Sequence, residues 1–203
     1  MNTLVKQTWA GLRVLIVLTV LLGILYPLAV WAIARIPGLE GNAEGSIVTQ
    51  NGQAVGSSLI GVDPTPADPA HDPWFHNRPS ATAKDVLGPG DPSTSGASNK
   101  GPYNEDLVKA IEQRKRLIAA REGVSPDQVP ADAVTASASG VDPSISVAYA
   151  DLQVARVARV TGLPFGQVKH LVEENTTGHG IGVPGVDVLK LNLAVQAAAR
   201  GAH

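Results

Sequence analysis

An uncharged run from Val14 to Ala34, 21 residues held between Arg13 and Arg35, constrains this chain more than any other stretch. As an α-helix rising 1.5 Å per residue it would be about 31 Å long, the thickness of a bilayer's hydrocarbon core. A helix on the surface of a soluble domain needs only one apolar stripe, and this run is apolar all round. Trp9 and Trp31 stand near its ends, where amphipathic rings anchor at membrane interfaces, and Lys6 and Arg13 lie on its N-terminal side. The arm of residues 1–13 has no acidic residue, so the positive-inside bias assigns it to the cytoplasm and everything after Ile36 to the exterior. A cleaved signal peptide is the competing reading, with Ala32-Ile33-Ala34 as its A-x-A pattern. A signal's apolar region usually runs about 7–15 residues, which favours an uncleaved anchor.

Within the run, Thr19, Gly23 and Pro27 recur at i, i+4 and i+8 and share a face. Small residues let a second helix approach closely, and packing must drive association where lipid is as apolar as leucine. These three residues are the candidate contact for a partner helix; a plain anchor with an incidental glycine is the other reading. Pro27 clashes with the carbonyl of residue 23 and predicts a kink.

The 203-residue chain leaves residues 35–203 for one domain, too few for two comfortable cores. Beyond Arg35 lie all 18 acidic residues and 13 of the 16 basic ones, a formal charge of −5. No basic stripe points to nucleic acid. The absence of cysteine excludes a disulfide framework and thiol chemistry. Aromatic residues make up only 4% of the chain, so the core has to be built from small aliphatics.

Residues 45–62 read as a hairpin: Ser46 to Thr49, and Ala54-Val55 with Leu59-Ile60, flank Asn51-Gly52, the pair suited to a type I′ turn. Gly61 to Pro102 holds eight prolines and little periodicity, yet Trp74, Phe75, Val86 and Leu87 give it something to bury, which favours an ordered loop. Asn104 caps a helix from Glu105 to Arg121 that ends at Gly123. A second helix is placed from Asp142-Pro143, read as a cap and a first-turn proline, to Thr161. Val147, Ala150, Val154 and Val157 form one apolar stripe on it, and Ile145, Tyr149, Leu152 and Val160 another, so it should be covered on two sides. A short helix follows Pro164, a glycine-rich loop spans Gly178 to Gly185, and a last helix covers Asp187 to Ala199, with Val186 to Val188 able to begin as strand. The fold class is α+β: an arm (1–13), one transmembrane helix (14–34), then a single exterior, mainly helical domain (35–203) with a small β-hairpin or sheet.

No catalytic constellation stands out. His71, Asp72 and His76, near Asp63 and Asp68, form the best candidate metal cluster, but their spacing fits no zinc or EF-hand pattern, and solvated loop residues account for them better. Ser137, Ser139, Ser144 and Ser146 lack a G-x-S-x-G elbow and read as capping and turn residues. Gly178-His179-Gly180-Ile181-Gly182 has neither the dinucleotide spacing nor a Walker lysine. Asn175-Thr176-Thr177 fits a glycosylation sequon, a common chance match.

A series of motifs in order is more specific. It comprises Gly56-Ser57-Ser58-Leu59-Ile60-Gly61, Trp74-Phe75-His76-Asn77-Arg78-Pro79-Ser80-Ala81, Ser95-Gly96-Ala97-Ser98-Asn99 and Val129-Pro130-Ala131-Asp132. It continues through Thr135-Ala136-Ser137-Ala138-Ser139-Gly140, Asp142-Pro143, Ile145-Ser146, Gln153-Val154-Ala155-Arg156-Val157-Ala158 and Val188-Leu189-Lys190-Leu191-Asn192. This series resembles KdpC, the family of C subunits of Kdp potassium-transporting ATPases, from the membrane helix to about Val195. The sequence departs from the family's pattern at Val62, Ala97, Lys100, Ser144 and Asp187, and none of these removes a catalytic group.

The resemblance implies a non-catalytic accessory subunit of an ATP-driven, high-affinity potassium-uptake complex, single-pass in the inner membrane. Its implied partners are a channel-like, potassium-translocating subunit and a P-type ATPase subunit. ATP and potassium are handled by the complex, and no cofactor bound by this chain itself is indicated. A catalytic-chaperone role, raising the ATP affinity of the ATPase subunit, is implied as well. From an exterior domain such coupling has to pass through the membrane helix or the potassium subunit, as a bias between global states. The physical reading is a lid or clamp on the channel-like subunit. No catalytic or metal-ligating residue is assigned, and Arg78, Pro79, Ser80, Ser98, Asn99, Asp132, Ser139, Gly140, Asp142, Pro143, Gln153, Arg156 and Asn192 are expected to be structural motif residues. Arg156, on the twice-covered helix, should be partly buried and need a carboxylate, for which Asp132 and Asp142 are the candidates. The alternative function is a membrane-anchored exterior hydrolase or solute-binding module, with Ser139 as the residue to test.

Overall fold

A computed structural model describes residues 2–43, 46–178 and 183–201. The chain divides into two compact units, 1–47 and 48–203. The first is dominated by one continuous helix, Thr3–Ala34, none of it buried and long and apolar enough to cross a membrane. Two α-helical parts, α1 (Thr3–Val20) and α2 (Tyr26–Ala34), are joined by a π turn at Leu21–Leu25, where the N–H of Tyr26 donates to the Leu21 carbonyl. Pro27 has no N–H for an α-helical ladder, so the disturbance expected there takes the form of a wider turn on its N-terminal side. A Cβ added at Gly23 would lie 4.0 Å from Thr19 Cγ2 and meet nothing else, so the two residues share an open face. A short helix, α3 (Glu40–Ala43), follows.

The hairpin leads into the second unit as β1 (Ile47–Gln50) and β2 (Gln53–Ser57), with Asn51 at φ 52° and Gly52 at φ 77°, the pair of positive angles that a type I′ turn requires. Leu59 and Ile60 fall beyond β2 and stay exposed. The proline-rich stretch is ordered with a single 3-10 turn, Pro69–His71, and Phe75 within it is fully buried. Next comes α4 (Glu105–Glu122), whose N-cap Asn104 accepts from the N–H groups of Asp106 and Leu107, and which closes at Gly123 in the left-handed conformation. A one-turn helix, α5 (Ala131–Val134), follows.

The next helix, α6 (Val147–Thr161), starts later than Asp142-Pro143 suggests. Ser144–Ser146 form β3 instead, antiparallel to β5 (Gly185–Asp187), which also pairs with β4 (Thr176–Thr177). Tertiary pairing outweighs the local cap signal here: Ile145 is buried opposite Val186, and Ser146 takes over as N-cap by accepting from the Tyr149 N–H. Pro143 therefore lies outside the helix, with its carbonyl accepting from Val188. α7 (Phe165–Glu174) follows Pro164, and α8 (Val188–Gly201) follows directly on β5. Residues 179–182 of the glycine-rich loop lie outside the described residues. The core is made of small aliphatics such as Ile118, Val154, Val157, Val168, Val172 and Leu191 around Phe75 and Tyr149. Tyr149, Gln153 and Arg156 are buried together with Ala150, Val154 and Val157, so α6 is covered on more than one side.

Candidate functional site

Residues 72–77 form neither helix nor strand, so their buried backbone groups need partners from elsewhere. Two amide side chains supply them. Asn192 on α8 accepts from the Phe75 N–H at 2.8 Å and donates to the Phe75 carbonyl at 2.9 Å. Gln153 on α6 treats the next residue the same way, accepting from the His76 N–H at 2.8 Å and donating to its carbonyl at 3.3 Å. A carboxamide presents an acceptor and a donor side by side, so each does what a neighbouring strand would do. The Phe75 ring is thereby fixed in the core.

Around this segment runs a line of alternating charge. Asp63 Oδ2 lies 2.9 Å from His76 Nδ1, and Asp72 Oδ2 lies 2.6 Å from His76 Nε2. Arg156 Nη1 is 3.6 Å from Asp72 Oδ2, and Arg156 Nε donates to Glu122 at 2.9 Å. Arg121 Nε donates to the other oxygen of Glu122 at 2.7 Å, and its Nη2 ends the line on the Tyr149 hydroxyl at 3.0 Å. Arg156 also donates to the carbonyls of Asp72 and Trp74, at 2.7 and 2.9 Å. None of the six charged side chains is more than 18% exposed.

Burial alone pushes His76 towards its neutral form, but its hydrogen bonds to Asp63 and Asp72 outweigh that and raise its pKa above the ordinary imidazole value. Burial acts upward on Asp72 too, yet the hydrogen bond and charge of His76 hold its carboxyl below the usual range. Tyr149 is pushed up to about 12, chiefly by burial, and stays a neutral acceptor for Arg121. The chemistry of this set is cross-linking: it joins α4, α6 and the irregular segment.

Asp72 and His76 are thus buried and Asp63 largely shielded rather than solvated, because the segment carrying Asp72 and His76 threads between helices. Asp68 and His71 do behave as solvated loop residues, paired with each other at 2.7 Å and largely exposed. Among the described residues no three His, Cys, Asp or Glu side chains are arranged to hold a metal ion. Arg156 is buried and carboxylate-paired as expected, but with Glu122 and Asp72 rather than Asp132 or Asp142. Asp132 instead accepts from the backbone and hydroxyl of Ser146, at 2.9 and 2.8 Å, securing the start of α6. Glu122 escaped the sequence reading. Its signal was a carboxylate in the last turn of a helix, where the dipole disfavours it unless a cation is waiting.

Several of the other expected residues meet in one knot of loops. Arg78 donates to Asp142 at 3.1 Å, and the Pro79 carbonyl accepts from the Ser137 N–H at 2.9 Å. Ser80 lies 2.9 Å from the Thr82 hydroxyl. Ser139 accepts from the Val141 N–H at 3.2 Å, donates to Asp142 at 3.3 Å and lies 3.1 Å from the Ser137 hydroxyl; no histidine is among these partners. Gly140 has φ 76°, and a Cβ there would come within 2.8 Å of the Gly96 carbonyl, so a side chain is excluded on both counts. Ser98 and Asn99 are exposed. Asn175, in the sequon, donates to the Leu171 carbonyl at the end of α7. Beside the clasped segment, a groove of about 530 Å³ is lined by Val55, Ile60, Asp63, Trp74, Leu189 and Leu193, among others.

The family described as "KdpC: K+-transporting ATPase, c chain" matches residues 8–197, the apolar helix and the following domain together. The chain belongs to the KdpC family. A potassium-transporting ATPase KdpC subunit of Kineococcus radiotolerans is 45% identical over 202 residues, covering 98% of this chain and 97% of its own length. The corresponding subunit of Streptomyces avermitilis is 42% identical, with 97% of each chain covered, and that of Polaromonas naphthalenivorans is 47% identical, with 89% of each covered. The residues on which the sequence resemblance rests fall in the parts just described: the Phe75–His76 clasp, the Ser139–Asp142 knot and the Arg156 ion pairs. Asp187 caps α8 by accepting from the Lys190 N–H at 3.1 Å, and Lys100 pairs with Asp106 at 3.0 Å.

Proposed function

We propose that this chain is a non-catalytic accessory subunit of an ATP-driven potassium-uptake complex in the inner membrane, with residues 1–13 in the cytoplasm and the domain outside. The observation that carries this reading is the span of the family match, residues 8–197, which takes in the membrane-length helix as well as the domain. Its partners are then a channel-like, potassium-translocating subunit and a P-type ATPase subunit, and those partners handle potassium and ATP. The motif side chains support the reading, since they are spent on holding the domain's interior together, as suits a stiff clamp. Any effect on ATP affinity passes through the membrane helix or the potassium subunit as a shift between global states. An exterior hydrolase built on Ser139 is disfavoured, because its hydroxyl is engaged with Ser137, Val141 and Asp142.

Deleting the chain from its own cell should abolish growth at limiting potassium, and the full chain should restore it. Restoration by Ser139→Ala separates this function from the hydrolase reading. A Ser139→Ala chain that assembles normally but fails to restore growth would favour the hydrolase. Orientation is tested by Asn51→Cys, in the hairpin turn, which should react with a membrane-impermeant reagent in intact cells.

A further inference from the structure

We propose that His76 is a pH-sensitive latch: its imidazolium closes the buried ion chain, and loss of its proton frees the Asp63 limb that walls the groove. The geometry requires the cation. Both ring nitrogens face carboxylate oxygens, Nδ1 at 2.9 Å from Asp63 and Nε2 at 2.6 Å from Asp72. An ionised carboxylate only accepts, so both nitrogens donate, and an imidazole that donates twice is charged. The charges around it give the same answer. Its own segment and the preceding limb supply Asp72 and Asp63, α4 supplies Arg121 and Glu122, and α6 supplies Arg156 with the neutral Tyr149 hydroxyl. From α8 come the uncharged Asn192, bonded to Phe75, and Arg200, which lines the groove with Asp63 but is outside the hydrogen-bonded chain. Three carboxylates balance three cations only when His76 is protonated. A neutral ring turns a lone pair towards one carboxylate and leaves a buried negative charge uncompensated.

The two carboxylates are not equally placed to bear that loss. Asp72 keeps the Trp74 N–H at 3.0 Å and Arg156 at 3.6 Å. Asp63 keeps the Asn77 N–H at 2.6 Å. The Asp63 side is therefore the one released, and residues 60–64 form one wall of the groove. The folded-state pKa of His76 is raised. The latch's contribution is thus fully present below the imidazole's unfolded value, near about 6.5, and disappears as pH rises through the higher folded value. In the topology proposed above the latch would answer to the pH outside the cell; its chemistry stands without that reading.

The test is a titration of the full chain in detergent micelles with ¹⁵N-labelled histidine, alongside hydrogen exchange at the Asn77 amide. His76 should show both ring nitrogens protonated at neutral pH and should titrate above the ordinary imidazole value of about 6.5. Asn77 protection, corrected for the intrinsic base dependence of exchange, should fall through the same transition. His76→Gln should abolish that transition and leave Asn77 weakly protected throughout. Titration of His76 at or below about 6.5 overturns the latch, as does Asn77 protection that stays level while the ring loses its proton. If His76→Gln does not fold, the two parent measurements decide.

Discussion

Arg156 and Glu122 form an ion pair shut off from water, Nε to Oε2 at 2.9 Å, with side-chain exposures of 3% and 0%. The two residues come from different helices, α6 and α4, and the rest of the guanidinium holds the carbonyls of Asp72 and Trp74. One side chain thus fixes the distance between two helices and the path of the segment between them.

Removing one partner of such a pair strands the other charge in the interior, which typically costs about 3–5 kcal/mol. Arg156→Met should destabilise the domain by that much, and Glu122→Gln by a smaller amount, since it removes the charge yet keeps a hydrogen-bonding side chain. The pair should be strongly non-additive, the double variant losing less than the sum of the single changes. Denaturant unfolding of the four chains measures it, and simple additivity would show that the two side chains do not depend on each other.

Asn192 meets both backbone groups of Phe75, so Asn192→Ala leaves a buried donor and a buried acceptor without partners. At about 1–3 kcal/mol for each stranded group the loss should be about 2–6 kcal/mol. Gln153→Ala should cost a similar amount through His76, and should also disturb Arg156, which donates to Gln153 at 3.0 Å. Ser98→Ala, at an exposed position, should stay within about 0.5 kcal/mol. An Asn192→Ala chain as stable as Ser98→Ala would contradict the clasp.

The sequence was readable wherever structure is local. Asn51-Gly52 announced its turn, Asn104 and Gly123 bracketed α4, and the apolar stripes of α6 announced a helix covered on two sides. It misled where distant segments decide. Asp142-Pro143 carries a helix-start signal, but Ser144–Ser146 gain more by pairing with β5. Asp63, Asp72 and His76 sit among prolines and look solvated, because nothing nearby in sequence reveals that Gln153, Arg156 and Asn192 will enclose them. The need of Arg156 for a carboxylate could be inferred, whereas its identity depended on how α4 packs against α6.

Asp72 is a buried carboxylate that contributes to the acid side of stability. Its folded pKa is depressed, with His76 overcoming the opposing effect of burial. Its contribution is therefore present above the unfolded value of about 3.9 and is lost as pH falls through the lower folded value. Asp72→Asn should be less stable than the parent at neutral pH, and the gap should narrow on acidification. A gap that widens towards acid pH would reverse the sign of this assignment.

Gly23 leaves an open face on the membrane helix next to Thr19. Filling it with Gly23→Leu should weaken assembly with the potassium-translocating subunit while leaving insertion intact, because leucine favours the bilayer core and close helix packing needs the groove. Leu18→Ala, off that face, should be mild. Equal retention of the partner by Gly23→Leu and the parent would make the helix a tether only.

The most direct measurement is purification of the tagged full chain from its native membranes in mild detergent, followed by identification of what accompanies it. The account predicts two larger membrane proteins in fixed ratio to the chain, a channel-like subunit and a P-type ATPase, with potassium-stimulated ATP hydrolysis in the purified material. A chain that emerges alone from membranes in which both of those proteins are present and assembled with each other would contradict it.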